Sequence, residues 1–491
     1  MPPHSTSSPR SRWMALAVLC AGSLMIILDG SIVTVALPAI QHDLHFSPAN
    51  LTWTINAYLI PFGGLLLLAG RLGDLVGRRH LFVGGLVLFT AASFACGIST
   101  SQQTLLVARF MQGLGGAMAS AVSLGMIVTL FPEPADRGRA FGAFGFVGAA
   151  GASIGQVLGG VLTETLNWHW TFFVNLPIGV ATIVLALRVL ESDRGAGLRA
   201  GADLSGAFLV TAGLMLGVYT IVGTNRHGWG SAHTLGYAAL AGALLAAFVV
   251  RQTTASAPLL PLRMFRYRNV WGANLIQILM VSALFGFQVL IALYLQNVHD
   301  YGAADTGLAM LPAALTIGVL SLGLSARLNG RFGERRVLLV GLGLLVVALG
   351  LLTRLPVEAD YLVDLLPTML LVGGFGLAIP ALTALGMSGA GPDDAGVTSG
   401  LFNTTQQVGG ALGVAVLSTL ATAHTGSLGA GGQDIDSALT DGFRLAFGTG
   451  AGLLIAAVVL AVTVLRQPRA ARPQPLAPGA GIPETIGQNE R

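Results

Sequence analysis

Asp29 and Arg109 are charged residues inside long apolar runs, where an ionised side chain is costly and persists only if paired, hydrated or neutralised. Burial raises a carboxylate's pKa and a neighbouring cation lowers it. A carboxylate whose surroundings open first to one face of a membrane and then to the other is what coupling to protons requires, and Asp29 is the candidate. The plain alternative places it near one mouth, bonded to neighbouring backbone. Arg109 is the only basic residue inside a run. An arginine near an interface can simply snorkel, but this one opens a small-residue face, Gly113, Gly116 and Ala117, on which another helix can come close. We expect it to pair with a carboxylate or with backbone carbonyls.

Other chemistries fail on residue type or spacing. The chain has no lysine, so the phosphate-gripping lysine of an ATP-driven pump cannot exist in it. Its 9 histidines show no metal-ligand spacing, and neither metal nor cofactor is expected. Gly151, Ser153 and Gly155 match a hydrolase nucleophile pattern, which needs a strand–turn–helix and here falls inside an apolar run. A membrane-embedded enzyme would need histidines, serines or carboxylates clustered at one depth, and none are seen. The chain is not expected to be an enzyme. Cys20 and Cys96 sit in apolar runs and read as small hydrophobes.

These residues must be positioned by membrane helices. The composition is 53% hydrophobic and 10% charged, with 67 glycines and a mean hydropathy of +0.74; a soluble domain of this size needs far more surface charge. Windows of roughly 20 residues give fourteen spans, near 14–38, 51–70, 80–98, 104–130, 140–163, 168–190, 203–223, 234–251, 269–296, 306–328, 335–353, 361–387, 396–422 and 442–465. The first run follows Arg10 and Arg12 but passes Asp29 to Pro38 without a cleavage site, so it reads as a retained helix. Residues 1–13 read as a free terminus, and 466–491, rich in Pro, Gly and Ala, as a disordered tail.

Arginine placement sets orientation. Alternate loops and the two termini carry nearly all of them, whereas the opposite loops hold only Arg226, Arg354 and Arg444. Both termini are then cytoplasmic and the number of spans is even. The weak point is the Gly391–Asp394 loop, placed inside yet carrying two aspartates.

A repeat lies in this pattern. Arg71, Leu72, Gly77 and Arg79 return as Arg327, Leu328, Gly333 and Arg335 at a constant offset, each set in a basic loop after an even-numbered span. Eight spans separate the copies where tandem six-helix bundles would place six. Two helices, 203–251, therefore look inserted between a first bundle (14–190) and a second (269–465). Paired bundles around a central path are a transporter architecture.

Four stretches resemble the major facilitator superfamily in its fourteen-span drug:proton antiporter branch, from about Trp13 to Leu465: Leu28-Asp29-Gly30 through Pro38; Gly70-Arg71-Leu72-Gly73-Asp74 through Gly77-Arg78-Arg79; Arg109 with Gln112-Gly113; and Gly151 through Gly155, Gln156, Gly159 and Gly160. The linker Pro258 to Phe265 is also similar to this branch. The resemblance implies an all-α, fourteen-helix polytopic fold, proton transfer through Asp29 and Arg109, and a gate at 70–79 in which Asp74 latches the two bundles. The chain departs from the branch at Gln156, where relatives carry a helix-kinking proline. Gly148, Gly151, Gly155 and Gly159 share one helix face, suited to sliding contact or to plain tight packing.

Candidates for lining a substrate cavity are Trp53, Asn56, Gln112, Asn274, Gln277, Gln288, Asn403, Gln406 and Gln407; interhelical hydrogen bonding explains them equally well. The expected function is proton-coupled export of drugs, antibiotics or other lipophilic small molecules across a bacterial cell membrane, with a proton-coupled or facilitative metabolite importer as the rival. Partners are then cargo, protons and the lipid bilayer, not nucleic acid, and the chain is expected to work as a monomer.

Overall fold

The computed structural model describes residues 9–131, 133–191, 195, 197, 203–255, 258–260, 262–387 and 395–466. Backbone in hydrocarbon must satisfy its own N–H and C=O groups, and the described residues are helical with no strand among them. The first half comprises α1 (Pro9–Leu44), α2 (Pro48–Leu51), α3 (Trp53–Val76), α4 (Arg78–Gly97), α5 (Gln102–Leu130), α6 (Pro134–Thr165), α7 (Trp170–Phe173) and α8 (Asn175–Val189). Next come α9 (Leu204–His227) and α10 (Ala232–Thr254). The second half comprises α11 (Arg268–Asn297), α12 (Ala303–Val319), α13 (Ser325–Phe332), α14 (Glu334–Leu352), α15 (Leu366–Val372), α16 (Gly374–Met387), α17 (Ala395–Ala430) and α18 (Ile435–Thr463).

Among the described residues, 11 helical stretches are long and apolar enough to cross a membrane, and Ala303–Val319 is a shorter apolar helix. The first helix does not end at Pro38; that residue lies inside α1, which continues to Leu44. One expected span is interrupted: a π-turn at Leu320–Leu324 joins α12 to α13, while another at Tyr361–Leu365 opens the span that continues through α15 and α16, each loosening the i→i−4 ladder. By contrast, α6 runs unbroken through Gln156, as a helix without an internal proline should.

Two apolar cores result. One is built mainly from α1, α3, α4, α5, α6 and α8, joined by Val218 and Val222 of α9, Val289 of α11 and Ala411, Val414 and Ala415 of α17, and the other from α11 to α18. A third, smaller cluster joins Leu68 of α3, Ala207 of α9, Phe248 of α10, Leu259 and Leu260 of the linker, and Leu401 of α17. The extra pair α9–α10 therefore touches both halves through α9, while α10 presents Leu235, Leu240, Val249 and Val250 outward.

The repeat is visible in the backbone. Gly77 (φ 106°) and Gly333 (φ 82°) both adopt the left-handed conformation just before α4 and α14, which glycine reaches without steric cost. We call the end holding these turns the basic end and the opposite one the far end. Residues 1–8 and 467–491, Arg194, Arg199 and the Gly391–Asp394 loop lie outside the described residues.

Candidate functional site

Inside the first half, Asp29 and Arg109 meet. Arg109 Nη1 donates to Asp29 Oδ2 at 2.6 Å, and the two side chains are 1% and 0% exposed. The other carboxylate oxygen, Oδ1, accepts from Gln112 Nε2 at 2.7 Å and from Asn175 Nδ2 at 2.9 Å. Arg109 also donates to Gln112 Oε1 at 2.7 Å and, through Nε, to the Thr54 carbonyl at 3.0 Å. Gln112 Nε2 reaches Ser93 Oγ at 2.8 Å. The guanidinium lies over the Tyr58 ring, 4.4 Å from its centroid, a cation–π contact.

One residue type from each of several helices makes this possible. Arg109 and Gln112 are three apart on α5 and share a face; Asp29 comes from α1, Thr54 and Tyr58 from α3, Ser93 from α4 and Asn175 from α8. Glycines let the backbones close in. A side chain at Gly113 would strike the Tyr58 carbonyl, and one at Gly115 would lie 2.6 Å from the Phe89 amide nitrogen. Removing one member of such a buried pair strands the other charge, at about 3–5 kcal/mol.

Gln112 was expected to line the cavity; instead it is wholly buried in the Asp29 network. Its amide can donate to the carboxylate and accept from the guanidinium at once, which a cavity wall would not require. Cys96 likewise is no mere hydrophobe, since its Sγ lies 3.7 Å from Gln112 Oε1. The sequence reading missed Ser93, Asn175 and Thr54; the available signal was a buried-type run interrupted by a hydroxyl or an amide. Within the network's own residues, Thr54 Oγ1, Tyr58 Oη and Asn175 Oδ1 are buried without a partner among the described residues. Water or a cargo atom would satisfy them.

The glycine face of α6 packs on the turn of α1 that carries Asp29. A Cβ at Gly155 would lie 2.8 Å from the Leu28 carbonyl oxygen, and one at Gly159 would lie 2.7 Å from that of Ile32. A Cβ at Gly151 would instead meet the end of the Leu24 side chain, at 2.9 Å. An adjacent side of α6, one residue further round the helix, meets the second half. Gly160 abuts the Ala303 carbonyl, Gly307 abuts the Gln156 carbonyl, and Gln156 itself is 5% exposed. At the far end Glu164 Oε2 accepts from the Ala304 amide at 3.0 Å, placing an anion at the positive N-terminus of α12. Gln296 Nε2 adds a bond to the Val35 carbonyl at 3.1 Å.

At the basic end the arginines clamp helix C-termini. Arg79 Nη2 donates to the Leu187 carbonyl of α8 at 2.6 Å, and its repeat partner Arg335 donates to Ala461 (3.3 Å) and Val462 of α18, where a cation suits the helix dipole. Arg78 holds the Gly125 carbonyl at 3.2 Å and Thr129 at 3.0 Å. Arg71 is half-buried, Gly70 has open space beside it, and Gly73 packs against Val122. The Asp74 side chain, the Gly148 side of α6 and Ser153 lie outside the described side chains.

Of the remaining cavity candidates, Asn274 is buried and bonds Thr405 at 2.8 Å and the Val270 carbonyl. Gln277 is buried with neither amide atom partnered among the described residues, and Asn56 shares that state. Gln407 lies at the seam between halves, where a Cβ on Gly63 would approach its Cβ to 2.7 Å. Trp53, Gln288, Asn403 and Gln406 are half-buried. The structure thus brings Asp29, Arg109 and Gln112 together and leaves the other amides apart from them.

A second polar knot sits beside the extra helices. Asp203 caps α9 by accepting from Gly206 N–H at 2.9 Å, and it also accepts from Arg251 Nε at 3.0 Å and Gln252 Nε2 at 3.1 Å. Burial raises its pKa, but these donors outweigh burial and hold it below the ordinary carboxylate value.

A helical membrane fold with paired halves and a buried acid–base pair defines a secondary transporter. Residues 19–414 match the Major Facilitator Superfamily, and the chain belongs to that family. It is 37% identical over 457 residues to a puromycin resistance protein of Streptomyces alboniger (92% of this chain, 90% of that one). It is 40% identical to a cephamycin export protein of Amycolatopsis lactamdurans (86% and 87% covered) and 34% identical to a tetracenomycin C resistance and export protein of Streptomyces glaucescens (85% and 77% covered). Among solved structures it resembles a bacterial homologue of the human lysosomal transporter Spinster, inward-facing and unoccupied, with a TM-score of 0.63 at 17% identity (93% and 97% covered).

Proposed function

We propose that the chain is an exporter of drugs or antibiotics that works by alternating access and is driven by exchange for protons. Relatives named for resistance or export, matched over most of their length, support the export of such compounds. The observation that carries proton coupling is the wholly buried Asp29–Arg109 pair with Gln112 and Asn175 on the free carboxylate oxygen. An acid held by one cation and two neutral amides can take a proton and release the arginine without leaving an unpartnered anion. Gly155 and Gly159 of α6 lie on that same turn and the next residue, Gly160, lies on α12, so a shift at Asp29 reaches the seam between the halves.

In this reading the chain spans the bacterial cell membrane fourteen times as a monomer with both termini cytoplasmic. It comprises a first bundle at 14–190, the extra pair at 203–251, a second bundle at 269–465 and a tail from 466. The far end is then external, and the Glu164 contact with α12 helps close the outer seam. Asp74, at the basic end, latches the inner one.

Dye or antibiotic accumulation in cells with and without the protein, before and after collapsing the proton gradient, tests the proposal. Lower accumulation that returns to the control level on collapse supports it. Accumulation raised by the protein would instead fit an importer, and export indifferent to the gradient would remove the proton coupling.

A further inference from the structure

Every group that bonds the Asp29 carboxylate is a donor. Arg109 Nη1, Gln112 Nε2 and Asn175 Nδ2 share its two oxygens, which suits an ionised carboxylate, an acceptor only. A proton makes one of those oxygens a donor as well. Facing N–H groups alone, that buried O–H would go unmet, which is costly.

One of the three partners can supply the missing acceptor. Arg109 has none to offer, and Gln112 Oε1 is taken by Arg109 Nη1 at 2.7 Å. Asn175 differs: its side chain is wholly buried, and its Oδ1 accepts from no donor among the described residues. The last torsion of an asparagine side chain is broad and two-fold. Half a turn therefore puts Oδ1 in the place of Nδ2, which stands 2.9 Å from Asp29 Oδ1. Apart from that bond, the turn gives up only a contact of 3.5 Å from Nδ2 to Ser93 Oγ. Ser93 keeps its shorter bonds to Gln112 and to the Phe89 carbonyl, both 2.8 Å.

We propose that Asn175 is a positioning residue that follows the charge of Asp29. Its amide donates to the carboxylate and, once a proton from bulk water is bound at Oδ1, turns over to accept from the new O–H. Loss of the proton reverses the turn. Arg109 keeps Gln112 and the Thr54 carbonyl in both states, while its hold on the neutral carboxyl weakens with the loss of charge. The role of Asn175 rests on the proton-exchange reading of Asp29 and goes beyond it by naming the acceptor.

Infrared difference spectra between neutral and acid pH, taken on the purified full-length chain in lipid nanodiscs, test this without any transport. A protonated-carboxyl band that Asp29→Asn removes is the Asp29 signal. In Asn175→Leu, which keeps the side chain's shape and removes both polar atoms, that band should move to higher wavenumber, as a carboxyl that has lost a hydrogen bond does. In Tyr58→Phe, which removes a rival buried hydroxyl, it should stay in place. Isotopic labelling of asparagine carbonyls in the otherwise unaltered chain should show an amide band that moves to lower wavenumber on acidification, and Asp29→Asn should abolish that movement. An Asp29 band unmoved in Asn175→Leu, a band moved by Tyr58→Phe instead, or no Asp29-dependent asparagine band would each overturn the role of Asn175 and leave proton exchange at Asp29 standing. Absence of any Asp29 carboxyl band at acid pH would sink proton exchange itself, and the role of Asn175 with it.

Discussion

The two halves share their scaffolding but not their chemistry. Gly77 and Gly333 make the same left-handed turn, and Arg79 and Arg335 clamp the last helix of their own half. Yet the first half buries Asp29, Arg109, Gln112, Asn175 and Ser93 in one network, whereas the interior of the second is leucine, alanine and phenylalanine with neutral amides such as Asn274 and Gln277. The frame can be duplicated because helix ends and turns impose the same demands twice. A buried charge network is a standing cost, and on the proposed proton-coupled reading one copy suffices.

That asymmetry can be broken most forcefully at Arg109. Arg109→Ala should abolish transport and lower stability by about 3–5 kcal/mol, because buried Asp29 keeps its two amide donors but loses its countercharge. Thermal unfolding of the purified protein, alongside efflux, reads both losses. Adding Asp29→Leu to it should restore much of the stability and none of the transport; equal stability of the single and double variants would contradict the stranded-charge account.

Glu164→Ala should come next. Losing the anion at the α12 N-terminus costs roughly 0.3–1 kcal/mol and should favour separation of the far end, seen as faster thiol labelling of a cysteine placed at Thr163. Unchanged labelling would remove Glu164 from the seam. The shared frame predicts a matched pair: Arg79→Ala and Arg335→Ala should each lower the melting temperature to a similar, modest extent, and an effect confined to one would mean the turns are not equivalent.

Smaller still is the pH response of the extra helices. Asp203 has a lowered pKa in the folded chain, so its contribution is complete above the unfolded carboxylate value and fades as pH falls through the folded one. Wild type and Asp203→Asn should therefore converge in stability only at acid pH. A constant difference across the range would remove the linkage.

Burying charge is expensive enough that Asp29 and Arg109 stood out from the sequence by composition alone. That Arg109 would meet a carboxylate or a carbonyl was expected; that the carboxylate is Asp29, 80 residues away, was not legible, because spacing within a helix says nothing about which helices meet. Gln112 was read as cavity lining since an amide serves a ligand and a carboxylate equally well; Asn175 and Ser93 went unread for the same reason. The glycine face of α6 was legible as a close-contact stripe, but not that its partner would be the Asp29 turn. The π-turns at Leu320–Leu324 and Tyr361–Leu365 left no mark in hydropathy, which averages over the register shift they introduce. The repeated basic turn, set by glycine and arginine at fixed offsets, was readable in full.

The central claim is that the Asp29 carboxyl must exchange a proton for cargo to move. Reconstituted Asp29→Asn, compared with wild type for drug-dependent proton release under an imposed pH gradient, addresses it directly. The variant keeps the side chain's size but strands the Arg109 charge, so it should fold with stability lowered by up to about 3–5 kcal/mol, while losing both proton release and uphill cargo movement. Proton-driven cargo movement at the wild-type rate in that variant would contradict the account.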